Sequence, residues 1–276
     1  MNYRHIYHAG NWVDVAKHLV LIVLLENLQT KDSPFAVIDN FAGIALYDLM
    51  HEKSQKTNEA GSGIGLFLEH TKDTTNEAYK KYLNIIKSYN QPDQLQFYPG
   101  SPLIIQKHLR SQDRAVFYEL HVEDHLALLS QLKLYKNIYV KNNDGYGAFK
   151  ELLPLAEKRG LIFIDPCFEQ KDEYELIING LKILKQRARN MRVLIWYPIK
   201  ISKLVTDFYK RLKELDFSEV IIIEIEKKNL GDSEISGLNK FGLMIINPPL
   251  IDNALKNVID PLQKIYGVKS KIFNLR

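Results

Sequence analysis

The stretch 160-GLIFIDPCFEQ-170 contains the clearest fold signal in the chain. Its first five residues form a continuous apolar run, which predicts a short strand covered on both faces. The run stops at Asp165, and a proline, the chain's only cysteine and a phenylalanine follow. This pattern predicts either a simple turn or a catalytic corner at the end of a buried strand. A second stretch, 247-NPPL-250, also follows an apolar run and is the competing candidate.

Other apolar runs of similar length recur along the chain, and polar stretches with helical periodicity separate them. The runs predict strands at 35–39, 115–121, 137–141, 192–199, 219–226 and 241–247. The periodic stretches predict helices at 14–29, 123–135, 172–190 and 203–215, the first with a start signal at Asn11 and Asp14. Alternating strands and helices predict a mostly parallel α/β sheet with helices on both faces.

One polar segment, residues 48–95, interrupts this alternation and has no strand pattern. We interpret it as a small helical insertion after the first strand, placed to form one wall of a cleft. Its run 61-GSGIG-65 follows no predicted strand and has no lysine after it, so it predicts a helix start rather than a phosphate-binding loop. The predicted domain organisation is a main domain of residues 1–47 and 96–276, with residues 48–95 inserted.

Composition excludes several classes of protein. The chain has 276 residues, 46% hydrophobic and 25% charged, with a net charge of +4, as expected for a soluble globular protein. One cysteine excludes an internal disulfide and a zinc site built on cysteines. The apolar run 19-LVLIVLL-25 is shorter than the ~20 residues that span a membrane. We therefore expect a cytoplasmic protein without a membrane span, and no metal site at the three histidines His5, His8 and His18.

The ends of the first four strands of the predicted sheet carry a consistent set of polar residues and glycines. Asp39 and Gly43 follow the first strand, and Glu119 ends the second. Asp144 and Gly145 follow the third strand, and the Asp-Pro-Cys-Phe corner follows the fourth. Ligands of doubly wound sheets bind beyond the carboxyl ends of the strands. This ordered set resembles the layout of S-adenosylmethionine-dependent methyltransferases, which have a Rossmann-like sheet.

The corner 165-DPCF-168 resembles the motif (D/N/S)-P-P-(Y/F/W) of amino-methyltransferases. An exocyclic amino nitrogen is a poor nucleophile, because its lone pair is delocalised into the ring. Hydrogen bonds from the amino group to the Asp165 carboxylate and the Pro166 carbonyl would favour a tetrahedral nitrogen. Phe168 would stack on the base. The stretch 247-NPPL-250 lacks the aromatic residue and follows the last predicted strand, so we expect it to lead into the final helix.

The whole chain resembles one bacterial family, the 23S rRNA adenine-N6 methyltransferases, which are also labelled as proteins of extracellular-DNA utilisation. The resemblance rests on 3-YRHIYHAGNWVDVAKH-18, on 98-YPGSPL-103 and on the strand-end residues quoted above. It implies methyl transfer from S-adenosylmethionine to an adenine of 23S rRNA, with S-adenosylhomocysteine as product. It also implies a monomer that acts on rRNA before the ribosome is fully assembled.

The resemblance assigns roles to individual positions. Asp165, Pro166 and Phe168 would be catalytic, and Tyr3, Arg4 and Phe168 would contact the substrate. The cofactor contacts would be Lys17, His18, Phe41, Gly43, Ser101, Glu119, Asp144, Gly145 and Asp165. The chain departs from the family where 39-DNFAGIA-45 replaces D-T-H-A-G-A-G, so that Phe41 and Ala45 stand for a histidine and a glycine. Cys167 and Phe168 stand where the family has Pro and Tyr.

Two alternatives remain open from the sequence. The departures favour a non-catalytic nucleic-acid-binding protein linked to the use of external DNA. An amino-methyltransferase acting on DNA or a small molecule is the other alternative. The basic stretch 183-ILKQRARNMR-192, with Lys185, Arg187, Arg189 and Arg192, is either a solvated helix end or a contact to RNA phosphates.

Overall fold

The computed structural model describes residues 4–228 and 238–275. The strands are β1 Ala36–Asp39, β2 Leu46–Asp48, β3 Phe97–Pro99, β4 Arg114–Tyr118, β5 Ile138–Lys141, β6 Gly160–Ile164, β7 Arg192–Pro198, β8 Val220–Lys227, β9 Lys240–Ile246 and β10 Val268–Asn274. The α-helices are α1 Trp12–Gln29, α2 Glu52–Thr57, α3 Leu66–His70, α4 Glu77–Lys87, α5 Ser101–His108, α6 Val122–Leu132, α7 Ala148–Leu152, α8 Glu173–Arg187, α9 Ser202–Glu214 and α10 Asp252–Tyr266.

The described residues form one large sheet with the strand order β5-β4-β1-β6-β7-β9-β8-β10. The five strands from β5 to β7 are parallel, whereas β9 and β10 run antiparallel to their neighbours. All seven strands predicted from apolar runs are present, within a few residues of the predicted bounds. Strand β10 was not predicted, because its residues alternate with lysines at the edge of the sheet. The fold class predicted from the sequence is confirmed.

The sheet separates two apolar layers, as the continuous apolar runs required. Alternate residues of one strand face opposite layers: Val37 belongs to the apolar cluster that includes α1 and α10, and Ile38 belongs to the cluster that includes α8 and α9. Helix α1 begins at Trp12, two residues before the predicted bound, and it has the predicted start signal: the Asn11 side chain accepts a hydrogen bond from the Asp14 N–H at 2.9 Å. This cap fixes the first turn of α1 at the carboxyl edge of the sheet.

The segment 48–95 contains α2, α3 and α4, and its run 61–65 forms one π-helical turn that leads into α3. Two three-residue strands that the sequence did not signal, β2 and β3, pair antiparallel at the two ends of this segment. Buried residues of the segment, such as Phe67 and Tyr82, belong to the same apolar cluster as α1. The division into a main domain and an insertion stays a prediction. The stretch 247–250 precedes α10, as expected.

Candidate active site

A cleft of about 880 Å³ lies at the carboxyl ends of β1, β4, β5 and β6, beside the first turns of α1. This is the place where doubly wound sheets bind ligands, and the volume lies within the range usual for small-molecule sites. Eleven of the residues that the sequence assigned to the site line the cleft: Lys17, His18, Phe41, Gly43, Ser101, Glu119, Asp144, Gly145, Asp165, Pro166 and Phe168. The sheet topology therefore brings together residues that are far apart in the chain.

Asp165 is joined to helix α1 through a buried ion pair. Lys17 Nζ lies 2.5 Å from Asp165 Oδ2 and 2.6 Å from Asp14 Oδ1. Burial opposes the charge on Lys17, but the two carboxylates outweigh it and raise the pKa of Lys17 above its ordinary value. In the described residues, Asp165 Oδ1 accepts no hydrogen bond. One carboxylate oxygen is thus fixed by Lys17, and the other is available at the cleft.

Asp14 is held from the opposite side. Its Oδ2 accepts the Gly10 N–H at 2.8 Å and lies 3.0 Å from His5 Nε2. Burial favours the neutral acid, yet His5 and Lys17 hold the pKa of Asp14 well below its ordinary value. The N-terminal segment is therefore connected to Asp165 through three successive contacts: His5 to Asp14, Asp14 to Lys17 and Lys17 to Asp165.

A second buried carboxylate, Asp39 at the tip of β1, lies in a different environment. Its oxygens accept the Ser101 hydroxyl at 2.7 Å and the Phe41 N–H at 3.2 Å. Burial raises the pKa of Asp39 to about 7, and the negative charge of Asp165 adds to the effect. Ser101, assigned to the cofactor by the resemblance, therefore has a defined partner at the base of the cleft.

Glu119 follows β4 and is fixed by backbone donors. Its two oxygens accept the N–H groups of Gly43 at 2.9 Å and His121 at 2.7 Å. Burial raises the pKa of Glu119 above its ordinary value. Gly43 has a φ of +64°, and a Cβ there would lie 2.2 Å from the Tyr47 hydroxyl, so a side chain at this position would block the turn. Each oxygen of Glu119 keeps a second lone pair for a ligand hydroxyl.

The turns after β1 and β5 touch each other at Gly145. A Cβ at Gly145 would lie 1.8 Å from the Asn40 carbonyl oxygen, and Asn40 Nδ2 donates to the Gly145 carbonyl at 2.8 Å. Asp144 accepts the Tyr146 N–H at 3.0 Å and caps the turn. Asn40 is 1% exposed, and its Oδ1 has no hydrogen-bond partner among residues 4–228 and 238–275. A buried amide oxygen at the cleft wall calls for a ligand donor or water.

The 165–168 corner is a shaped loop rather than a simple turn. Phe168 has a φ of +52°, which is unusual for a residue with a side chain. Its ring is half-buried and packs against Tyr174 and Trp196, with centroids 4.8 Å and 5.7 Å away. Burial raises the pKa of the Cys167 thiol to about 11, so at neutral pH this thiol is not a nucleophilic thiolate.

His18 and Phe41 contribute neutral walls to the cleft. The ring of His18 lies 2.7 Å, through Nδ1, from the Tyr98 hydroxyl. Burial lowers the pKa of His18 to about 3, so its imidazole is neutral near pH 7. Phe41, which stands where the family has a histidine, packs edge-on against Tyr146 with centroids 4.9 Å apart.

Apart from Phe168, the residues predicted to contact nucleic acid, unlike those predicted to bind the cofactor, do not gather at the cleft among the described residues. Tyr3 lies outside the described residues. Arg4 pairs with Glu123 at 3.1 Å and with Asp124 at 2.7 Å, so it anchors the N-terminal segment to the start of α6. The basic stretch 183–192 runs from the last turns of α8 to the first residue of β7. It therefore lies at the amino ends of the parallel strands, whereas Asp165 follows the carboxyl end of β6.

Sequence reasoning missed several residues of the site. In the sequence, His5 raises only the question of a metal ligand, and Asp14 indicates only a helix start. The pairing of Asp14 with Lys17 had a signal, because residues three apart on a helix are neighbours on one face. The sequence pattern places Glu173 only within a predicted helix, yet Glu173 is 2% exposed and contacts the 165–168 loop.

Comparison with known proteins identifies the family. The family model described as "Ribosomal RNA large subunit methyltransferase D, RlmJ" matches residues 32–271. A Haemophilus influenzae protein named ribosomal RNA large subunit methyltransferase J is 35% identical over 96% of this chain and 93% of its own length. The Escherichia coli protein of the same name is 34% identical over 94% and 91%. The chain belongs to this family.

A solved structure agrees with this assignment. The crystal structure of a Legionella pneumophila protein matches with a TM-score of 0.88 and 32% identity, over 96% of this chain and 98% of that protein. The family, the enzyme class and the dependence on S-adenosylmethionine predicted from the sequence are confirmed at the level of the family. Across residues 4–228 and 238–275, no helix is long and apolar enough to cross a membrane. The same residues contain no cluster of three or more His, Cys, Asp or Glu arranged to hold a metal ion.

Proposed function

We propose that this chain transfers the methyl group of S-adenosylmethionine to the N6 amino group of an adenine in 23S rRNA. The observation that carries the proposal is the position of Asp165 and Pro166 at the tip of β6. There, one oxygen of Asp165 is fixed by Lys17, and the other is available at the cleft. The names of the family and of its relatives support large-subunit rRNA as the substrate.

The residues of the cleft fit S-adenosylmethionine. Glu119 would accept hydrogen bonds from the two ribose hydroxyls, and Asp144 would accept one from the adenine amino group. Gly43 and Gly145 line the cleft; the Gly43 N–H holds Glu119, and the Gly145 carbonyl holds the Asn40 side chain. The unpartnered Oδ1 of Asn40 is an acceptor for a donor of the ligand. When bound, the cofactor supplies a methyl group on a positively charged sulfur.

The chain's own residues would orient the substrate adenine. Asp165 Oδ1 and the Pro166 carbonyl would accept the two amino hydrogens, while Phe168 stacks on the ring. Lys17 holds Asp165 through Oδ2, so Oδ1 keeps one position. A paired adenine cannot reach this depth, so the target nucleotide is unpaired or flipped out.

The direct test is transfer of labelled methyl to protein-free 23S rRNA that lacks the modification, followed by nucleoside analysis. Wild-type protein should label N6-methyladenosine. Asp165→Asn should lower the rate by about 100-fold or more, because the amide offers one acceptor and no charge. Asp172→Asn is the matched control, since Asp172 is exposed and its side chain caps nothing. No transfer by wild type, or equal rates for Asp165→Asn, would refute the proposal.

Two further arms separate the alternatives. Calorimetry with S-adenosylmethionine distinguishes an enzyme from a non-catalytic nucleic-acid-binding protein, which need not bind the cofactor. Single-stranded DNA of the target sequence tests a DNA methyltransferase. We also propose that the chain is a cytoplasmic monomer acting before subunit assembly is complete. Protein-free rRNA should therefore be methylated faster than intact subunits, and sedimentation should give the monomer mass.

A further inference from the structure

Glu173 is a buried carboxylate that the proposed reaction does not use. It is the first residue of α8 and is 2% exposed. Its Oε2 accepts the Phe168 N–H at 3.1 Å and the Tyr146 hydroxyl at 3.0 Å, and its Oε1 accepts the Gln170 N–H at 3.1 Å. All three donors lie in the turns that follow β5 and β6. A buried charge with this many donors is a fixed point for both turns.

The loop that Glu173 holds is the 165–168 corner, and that loop needs support. Phe168 adopts a positive φ, which persists in a residue with a side chain only when the surroundings impose it. The related motif has two successive prolines, each of which fixes φ near −65°. Here the second is Cys167, whose backbone is less restricted. The loop therefore has one internal restraint fewer than the motif it resembles.

Glu173 is placed to supply the missing restraint. Its hydrogen bonds begin at Phe168, the residue directly after the replaced proline, and its Oε1 lies 4.0 Å from Cys167 Sγ. The bond from Tyr146 extends the network toward Phe41, whose ring packs on Tyr146. One carboxylate thus couples the loop of Asp165 to the wall of the cofactor cleft.

We propose that Glu173 is a positioning residue for methyl transfer, which holds the 165–168 loop in its reactive shape in place of a second proline. The proposal rests on the proposed function, because it concerns the rate of that reaction. Its structural part, the ordering of the loop, is measurable without cofactor or RNA.

The key variant is Glu173→Gln, which keeps the size of the side chain and removes its charge. One oxygen of the glutamine becomes an NH₂ group facing a donor, so the loop loses at least one of its bonds. We expect kcat to fall about 10- to 100-fold, as for a displaced reacting group, while KM for S-adenosylmethionine changes only a few-fold. Glu175→Gln, in the same turn of α8 but paired outward with Arg211, is the matched control and should leave kcat unchanged.

Rescue distinguishes positioning from general stability. Cys167→Pro should change kcat by only a few-fold in the wild type, but should restore most of the loss in Glu173→Gln. Hydrogen exchange of cofactor-free protein gives an independent measurement: the amides of Phe168 and Gln170 should exchange faster in Glu173→Gln, and Phe168 should slow again in the double variant. If Glu173→Gln does not fold, Glu173→Asp keeps the charge with a shorter reach and should show the same pattern at smaller size.

The outcomes separate the two proposals. An inactive wild type would overturn the proposed function, whatever the exchange data show. An active wild type with full kcat in Glu173→Gln, or with unchanged exchange at Phe168, would overturn the role of Glu173. Loss of kcat without rescue by Cys167→Pro, in a folded double variant, would overturn the claim that Glu173 replaces the proline.

Discussion

Asp39 should make the protein less stable as the pH rises, and Asp39→Asn should remove this dependence. The folded protein raises the pKa of Asp39 from 3.8 to about 7, chiefly through burial. Between these two values the folded state keeps a proton that the unfolded chain has lost, so stability falls as the pH rises through this window. Each pKa unit corresponds to about 1.4 kcal/mol, so the full effect is roughly 4 kcal/mol above pH 7.

Asparagine cannot titrate, so it avoids this loss but changes the hydrogen bonds. Asp39 accepts the Ser101 hydroxyl and the Phe41 N–H through different oxygens, and the amide has only one. Losing one such bond costs about 1 kcal/mol. We therefore expect Asp39→Asn to be more stable than wild type by about 3 kcal/mol at pH 8, and slightly less stable near pH 4.

Urea unfolding at several pH values measures the difference directly. The gap between Asp39→Asn and wild type should grow by about 1.4 kcal/mol per pH unit between pH ~4.5 and ~6.5, and level off above ~7.5. Asp172→Asn, at an exposed position, should show no such slope. A stability difference that does not change with pH, or a variant less stable than wild type at pH 8, would refute the reasoning that burial raises the pKa of Asp39.

Two other substitutions test the cleft. Lys17→Met leaves the Asp14 carboxylate buried beside an apolar group and should destabilise the protein by about 3 kcal/mol in urea at pH 7. Without Lys17 the pKa of Asp14 is less depressed, so Asp14 takes up a proton more readily in the variant and the loss should shrink as the pH falls. An equal loss at pH 3 would contradict this. Phe41→His restores the family's residue; it should bind S-adenosylmethionine more tightly by calorimetry but lower stability by about 1 kcal/mol, because the ring contact with Tyr146 is weakened. Weaker binding would show that the histidine contact does not form here.

The strand-end residues were predictable because topology alone brings them together. Once the apolar runs are read as parallel strands, their carboxyl ends must share one edge. Glu119, Gly145 and Asp165 then face one cleft whatever the loops between them do. The confirmed family and fold class depend on this same ordered pattern.

The ionic core of the site was not predictable in the same way. Lys17 and Asp165 are 148 residues apart, and no periodicity relates the second turn of α1 to the tip of β6. Glu173 carried no signal either, because an acid in the first turn of a helix is ordinarily solvated and favoured by the helix dipole. The possible RNA contact at 183–192 rests on its positive charge alone, and charge does not predict whether a helix end lies at the amino or the carboxyl ends of the strands.

Asp14 and Asp39 show why such a site resists reading from sequence. Both carboxylates are almost completely buried, so burial pushes both pKa values upward. Asp14 has Lys17 and His5 beside it, and its pKa falls well below the ordinary value. Asp39 has only a hydroxyl and an N–H, and its pKa rises to about 7. Because both carboxylates are buried, the difference between their pKa values comes from their partners. Asp165 lies between these two environments: it pairs with Lys17, and its negative charge adds to the rise in the pKa of Asp39.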